Sequence, residues 1–173
     1  EIAATLGDVT GVDVDRAPRG GDGCSIPTWA LPVEAMARGF ARLASGVGVA
    51  PSRAKAARRL FDAAIAEPGM VAGTGRFCTE FMTAIGGAAY VKTGAEGVFC
   101  AALPALGLGI ALKCEDGAGR AAEVLTAHLV AGLLGRGDDP ALGRFLAPPI
   151  DDWNGTRVGE IRPSEAFRAA LSA

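Results

Sequence analysis

The sequence predicts an α/β protein of the α+β kind, with a mixed or antiparallel sheet covered by helices. Three short apolar runs, over residues 88–93, 97–103 and 107–114, are separated by glycine and proline turns, as in consecutive antiparallel strands. Helical patterns precede and follow these runs, without the regular alternation of strand and helix that is typical of doubly wound folds. The chain has 173 residues, 50% of them hydrophobic, and can bury one substantial core. We therefore expect a single domain over residues 1–173.

The first residues have the pattern of a helix interior. Ile2, Ala3 and Leu6 already show helical spacing, and no capping residue precedes them. We therefore expect the chain to be the carboxy-terminal portion of a longer polypeptide, without its amino-terminal part. Residues 7–23 are rich in glycine and aspartate and predict a loop that is too flexible for the interior of a helix or strand.

Three amphipathic helices are expected before the strands. The first spans residues 32–46, where a proline opens the helix and apolar residues recur at steps of three and four. The second begins at Pro51, directs Leu60 and Phe61 toward the core and stops at the next proline-glycine pair. The third spans residues 76–85.

The second half of the chain adds two helices, a strand and a final helix. A long helix rich in alanine and leucine is expected from residue 118 to about 134, and a shorter helix over residues 140–146. Residues 157–162 alternate between apolar and polar side chains, which predicts a half-buried strand. Ser164 is placed to cap the last short helix.

The composition excludes several classes of partner. The formal net charge is -2 and the pI is near 5.4, so the chain has no basic field to attract nucleic acid or an anionic membrane. No apolar run is long enough to span a bilayer. The four cysteines lack the spacing of a secreted disulfide scaffold and no segment resembles a signal peptide, which favours the cytoplasm. A small molecule is the expected ligand.

One candidate site lies in a glycine-rich loop, where Asp22 and Cys24 stand two residues apart. A carboxylate and a thiolate together suit zinc, but two ligands fall short of the usual four, so the others would have to come from elsewhere. From the residues alone we prefer a structural interpretation, with Asp22 in a turn or at a helix entry and Cys24 as a small buried side chain.

A second candidate is Lys92, in the tripeptide Lys92-Thr93-Gly94 at the end of an apolar run. A lysine beside a cleft can relay protons for a hydroxyl nucleophile or hold a carboxylate, and Lys-Thr-Gly on a strand occurs in serine β-lactamases and penicillin-binding proteins. A solvated lysine at a strand end is the simpler interpretation of this tripeptide alone. Ser52 and Lys55 match the Ser-x-x-Lys of the same enzymes, but we reject them because Ser52 suits a helix cap and the neighbours are basic.

The remaining candidates have structural interpretations. His128 is the only histidine and has no acidic or cysteine neighbour in its helix, so a packing or surface role is expected. Cys78, Cys100 and Cys114 are expected to be small core residues.

Four separated segments, in this order and spacing, resemble the Rhizobium etli-type (class 3, thermolabile asparaginase II) L-asparaginases. The resemblance spans about residues 1–162. The segments are Asp22-Gly23-Cys24-Ser25-Ile26-Pro27, Gly73-Thr74-Gly75-Arg76-Phe77-Cys78-Thr79, Val91-Lys92-Thr93-Gly94-Ala95-Glu96-Gly97-Val98 and Lys113-Cys114-Glu115-Asp116-Gly117.

The resemblance implies a fold similar to that of serine β-lactamases, hydrolysis of L-asparagine to L-aspartate and ammonia, and a homodimer. It implies a zinc-binding site beside the substrate, with Cys24 as a metal ligand and Asp22 as a ligand or its close partner. It also implies that Lys92 assists the catalytic serine. The family's Ser-x-x-Lys and Cys-Ser-Gly-Lys-His motifs lie upstream of position 1, so this chain alone is expected to be inactive.

Two other functions stay open from the sequence. A serine β-lactamase or penicillin-binding-like acyl transferase shares the Lys-Thr-Gly tripeptide, although such an enzyme is exported. A non-catalytic module that binds a small ligand or a partner subunit would account for the absence of a complete nucleophile and base pair.

Overall fold

The computed structural model describes residues 1–171, which form eight α-helices and seven short strands. The helices are α1 (Ile2–Thr10), α2 (Val33–Ser45), α3 (Pro51–Ala66), α4 (Pro68–Ala72), α5 (Phe77–Ala84), α6 (Gly119–Leu133), α7 (Gly143–Leu146) and α8 (Glu165–Leu171). The strands are β1 (Arg19–Gly21), β2 (Pro27–Trp29), β3 (Tyr90–Thr93), β4 (Val98–Leu103), β5 (Leu108–Lys113), β6 (Pro149–Asp151) and β7 (Arg157–Glu160).

Every strand pairing within residues 1–171 is antiparallel. The central sheet has the order β3-β4-β5, while β1 with β2 and β6 with β7 form two separate two-stranded sheets. The three apolar runs of the sequence are the three strands of the central sheet, as predicted. The architecture is therefore the expected α+β mixture of helices and small antiparallel sheets. The narrower similarity to serine β-lactamases stays a prediction.

Helices cover both faces of the central sheet. Helix α2 packs on β4 and β5 on one face, where α3 adds the buried ring of Phe61. On the other face, helices α5 and α6 enclose the larger core, which includes Phe81 and Phe99. Neighbouring residues of a strand point to opposite faces, so Ala101 packs in the larger core and Ala102 in the smaller one. Strand β4 is buried on both sides as a result.

Helix α2 comes very close to the sheet at Gly109 of β5. A Cβ atom on Gly109 would lie 2.0 Å from the carbonyl oxygen of Ala37 and 2.2 Å from the backbone nitrogen of Ala41. Both are backbone atoms of α2, so neither can rotate away as a flexible side chain would. The absence of a side chain at position 109 is what allows the helix to lie on the sheet.

Most of the predicted elements are present, but the first part of the chain differs from the prediction. Helix α1 continues to Thr10 and ends at Gly11, which adopts a left-handed φ of 74°. Part of the predicted loop forms strand β1, because pairing with β2 supplies hydrogen bonds that the glycine-rich run cannot make locally. The expectation that residues 7–23 hold neither helix nor strand was therefore wrong.

Two further details of the helices differ from the prediction. Leu60 is 69% exposed, whereas its neighbour Phe61 is 2% exposed, so only Phe61 faces the core. Helix α3 ends at Ala66, as the proline-glycine pair predicted, but a short helix that was not predicted, α4, begins at Pro68. Proline favours the first helical position because its fixed φ suits a helix and its missing N–H needs no partner there.

The structural interpretations of Ser164, His128 and the buried cysteines are confirmed. The backbone N–H of Phe167 donates to the Ser164 hydroxyl at 3.2 Å at the start of α8. The Nε2 atom of His128 lies 2.8 Å from the carbonyl oxygen of Leu146, which ties α6 to α7. Cys78 and Cys100 are buried, and Cys114 is partly buried against the larger core. Over residues 1–171, no helix has both the length and the apolar character needed to cross a bilayer.

Candidate active site

Lys92 lies in β3 and lines a polar cavity of about 210 Å³. Its amine donates a hydrogen bond of 2.7 Å to the carbonyl oxygen of Thr93. The wall of this cavity is formed by β3, the end of α4, the start of α5 and helix α6. The other lining residues are Val71, Ala72, Arg76, Phe77, Cys78, Thr93 and Glu123. Lys92 is thus a strand residue at a cleft, rather than a lysine that only reaches into solvent.

A tight turn fixes the end of β3 where Lys92 lies. The N–H of Gly94 donates to the carbonyl oxygen of Val98 at 2.7 Å, which closes the hairpin between β3 and β4. Gly97 has a φ of 69°, and a Cβ atom there would lie 2.9 Å from the Cβ atom of Cys114. This position requires glycine both for its left-handed backbone and for its crowding.

Cys78 lines the same cavity as Lys92, but its environment keeps its thiol protonated. Burial raises the pKa of the Cys78 thiol above its ordinary value, and this effect exceeds the opposing ones. A hydrogen bond from the Thr93 backbone and the positive charge of Lys92 act in the opposite direction. The thiol is therefore a neutral core group near pH 7, as the sequence analysis expected of it.

Arg76 and Glu123 are the other two charged residues that line this cavity, and neither was predicted to have a functional role. Burial raises the pKa of the Glu123 carboxyl, and the charge of Arg76 acts in the opposite direction. One signal was available in the sequence, because Glu123 is the only acidic residue in the alanine- and leucine-rich helix Gly119–Leu133. A lone carboxylate on such a helix indicates either a buried pair or a site.

Asp22 and Cys24 lie in the turn between β1 and β2. The N–H of Asp22 donates to the carbonyl oxygen of Ile26 at 2.9 Å, and the Asp22 carboxylate accepts from the N–H of Gly23. The turn interpretation of Asp22 is confirmed. The interpretation of Cys24 as a small buried side chain was wrong, since Cys24 is exposed. The hairpin carries mostly exposed residues and offers no core in which a thiol could be buried.

The structure places Asp22 and Lys92 in two separate cavities near the same turn. Asp22 lines an open cavity of about 440 Å³ together with residues of its own hairpin and with Ala95. Ala95 belongs to the turn that follows Lys92, three positions further along the chain. The hairpin of Asp22 therefore reaches the end of β3, while Cys24 lines neither cavity.

Asp22 and Cys24 do not make a zinc site by themselves. Within the described part of the chain, no group of three or more histidine, cysteine, aspartate or glutamate side chains could hold a metal ion. The two residues have the right donor chemistry for zinc but are half of a tetrahedral set.

A third cavity has a different character. It measures about 430 Å³, lies between α1, α2 and α3, and has an almost entirely apolar lining. Its two charged residues, Arg42 and Arg53, are engaged with α1, as in the 3.0 Å pair of Arg53 with Asp8. Without a free acid, base or nucleophile, this groove offers no chemistry.

The rejected pair Ser52 and Lys55 lies on the exposed surface of α3. Neither residue lines the Lys92 cavity, which agrees with the prediction that they are not catalytic. The reason given for Ser52 was wrong in detail, because Ala50 occupies the N-cap position and no side chain caps this helix.

A sequence model of the L-asparaginase II family matches residues 1–163, a span that includes the hairpin of Asp22, the Lys92 strand and both walls of its cavity. The chain belongs to the L-asparaginase II family. A search of curated protein sequences finds no significant match. The family implies an amidohydrolase whose substrate is L-asparagine. The narrower Rhizobium etli-type subgroup stays a prediction.

Proposed function

We propose that this L-asparaginase II chain supplies Lys92 to an active site that hydrolyses the side-chain amide of L-asparagine. The family match over residues 1–163 carries the proposal. Thr93 provides the one hydroxyl among the residues that line the Lys92 cavity, and it donates to the carbonyl oxygen of Gly94 at 3.3 Å. We therefore propose that the nucleophilic Ser-x-x-Lys motif is supplied by polypeptide outside residues 1–173.

The proposed reaction has two steps. The serine hydroxyl oxygen attacks the side-chain amide carbon, the C–N bond breaks and the nitrogen leaves as ammonia with the proton of the hydroxyl. Water then attacks the ester, which releases L-aspartate and restores the hydroxyl. The positive charge of Lys92 favours the alkoxide form of the serine in the first step.

The reaction can be tested by measuring ammonia and aspartate release. We expect the complete enzyme, meaning the polypeptide as its gene encodes it, to hydrolyse L-asparagine, and the 173-residue chain alone to be inactive. A β-lactam serves as the competing substrate, since a serine β-lactamase or penicillin-binding acyl transferase would react with it. Ring opening of the β-lactam without ammonia release from asparagine would replace our proposal with that alternative, and no reaction with either would favour a non-catalytic module.

We further propose that Cys24 and Asp22 contribute two ligands to a zinc site that is completed from outside these residues. Thiolate and carboxylate suit zinc, and the exposure of Cys24 leaves its sulfur accessible to an ion. The hairpin that carries both residues lines a cavity together with Ala95, in the turn after Lys92, which supports a site beside the substrate. The homodimer and the cytoplasmic location stay predictions.

Replacing Cys24 with alanine in the complete enzyme is expected to weaken zinc binding by at least about 10-fold, because one of four ligands is lost. The bound zinc per protomer is measured by elemental analysis after dialysis, and KM for asparagine is measured in parallel. Ile26→Ala is the matched control, since Ile26 is exposed in the same turn and has no ligand atom. Unchanged zinc content and unchanged KM in Cys24→Ala would contradict the assignment.

A further inference from the structure

Arg76 and Glu123 bring opposite charges to the Lys92 cavity without pairing. Within residues 1–171, neither side chain makes a hydrogen bond or a salt bridge, although the charge of Arg76 acts on Glu123. Glu123 also lines the adjoining cavity, where Arg144 and Glu80 show the contrary arrangement and pair with each other at 2.7 Å. The Lys92 cavity is thus bordered by an exposed guanidinium and a half-buried carboxylate, neither of which has a hydrogen-bond partner in this part of the chain.

The unpaired Glu123 carboxylate disfavours folding. Its side chain is half-buried on α6, and burial raises the pKa of this carboxyl because the ionised form loses hydration. A neutral side chain of the same shape would avoid this penalty. Destabilising groups of this kind are typical of binding sites, where the charge of a ligand offsets the cost.

We infer that Arg76 and Glu123 recognise the α-carboxylate and the α-ammonium group of a free amino acid whose side-chain amide faces Lys92. The inference rests on the proposed function and adds to it the two residues that hold the charged groups of the substrate. A guanidinium can hold a carboxylate through two parallel hydrogen bonds, and a carboxylate accepts from an ammonium group. The volume of about 210 Å³ lies below the range of drug-sized pockets, which suits one amino acid.

This arrangement selects free asparagine against asparagine within a peptide. A peptide bond at either end of the residue removes one of the two charges, so a free guanidinium or a free carboxylate of the cavity would lose its partner. Discrimination is strongest at the ammonium end, because the half-buried Glu123 carboxylate is then left without a counter-charge, whereas the exposed Arg76 stays hydrated.

The inference is tested by calorimetric titration of the complete enzyme with L-aspartate and with succinate, which lacks the ammonium group. Glu123→Gln is expected to weaken L-aspartate binding about 10- to 100-fold and to leave succinate binding nearly unchanged. Arg76→Gln is expected to weaken the binding of both ligands, since both carry the carboxylate. Glu80→Gln is the matched control, because Glu80 is a neighbouring carboxylate that is already paired, and it should change neither affinity.

Loss of the fold does not complicate this test. Glu123→Gln removes a carboxylate whose ionised form is disfavoured by burial, so its melting temperature at pH 8 should equal or exceed that of the wild type. An equal loss of affinity for L-aspartate and succinate in Glu123→Gln, unchanged affinity for L-aspartate in either variant, or no binding of L-aspartate by the wild type would each overturn the inference. If one of these results is found and the wild type still releases ammonia from asparagine, the inference fails but the proposed function stands. The expected binding pattern without ammonia release would refute only the proposed function.

Discussion

Replacing Lys92 with alanine in the complete enzyme is expected to lower kcat for L-asparagine by about 100- to 10,000-fold, the range of a positioned acid–base group. Lys92 is a charged group at the cavity wall, and its hydrogen bond to Thr93 holds the amine at the end of β3. The alkoxide of the nucleophile would lose the positive charge that favours it. KM should change less than kcat, because Lys92 acts on the reacting atoms.

Lys113→Ala provides the matched control for this prediction. Lys113 ends β5, is exposed, and donates its amine to the carbonyl oxygen of the next residue, as Lys92 does. It does not line the Lys92 cavity. Steady-state kinetics and thermal melting of both variants distinguish an effect on catalysis from an effect on the stability of the fold. A Lys92→Ala enzyme that retains the wild-type kcat, or a Lys113→Ala enzyme that loses it equally, would contradict the assigned role.

Replacing Gly109 with alanine is expected to destabilise the fold by about 3 kcal/mol or more, at the upper end of the cost of overpacking a core. The new methyl group would overlap backbone atoms of α2 at 2.0 and 2.2 Å. The helix must then move off β5 or deform, and its contacts with β4 would be lost with it. Urea denaturation of the variant measures the change in the free energy of unfolding.

Gly39→Ala separates this steric effect from a general intolerance of alanine for glycine. A Cβ atom on Gly39 would have Thr10 Cγ2 as its nearest neighbour at 3.6 Å, an ordinary contact. Because glycine disfavours a helix interior by about 1 kcal/mol relative to alanine, this variant should be as stable as the wild type or more stable. If both variants were equally stable, the close approach of α2 to the sheet would be refuted.

Elements with a regular apolar period could be predicted from the sequence, because the pattern itself reports which face is buried. Helices α2, α3, α5 and α6 and the central three strands are of this kind. Strand β1 was missed because its Arg19-Gly20-Gly21 sequence has no apolar alternation, and its order comes from pairing with β2. Leu60 and Phe61 could not be ranked for burial because both adjoin the apolar side of α3.

The candidate site could be predicted only in part from the sequence, for a related reason. Lys92 interrupts an apolar strand, and that local contrast is visible in the sequence. Arg76 and Glu123 are 47 positions apart and line one cavity only because α5 and α6 pack on the same face of the sheet. Tertiary packing of this kind leaves no local signature. Cys24 was wrongly predicted to be buried, because the exposure of a residue in a hairpin depends on the distance between the hairpin and the core, which the sequence does not show.

A crystal structure of the complete enzyme with bound L-aspartate tests most directly whether the Lys92 cavity is where the amide reacts. We predict that the side-chain carboxylate of the ligand, which replaces the amide, lies within hydrogen-bond reach of the Lys92 amine, at about 3 Å. A ligand bound in another cavity, with the Lys92 amine directed away from it, would contradict the proposed active site.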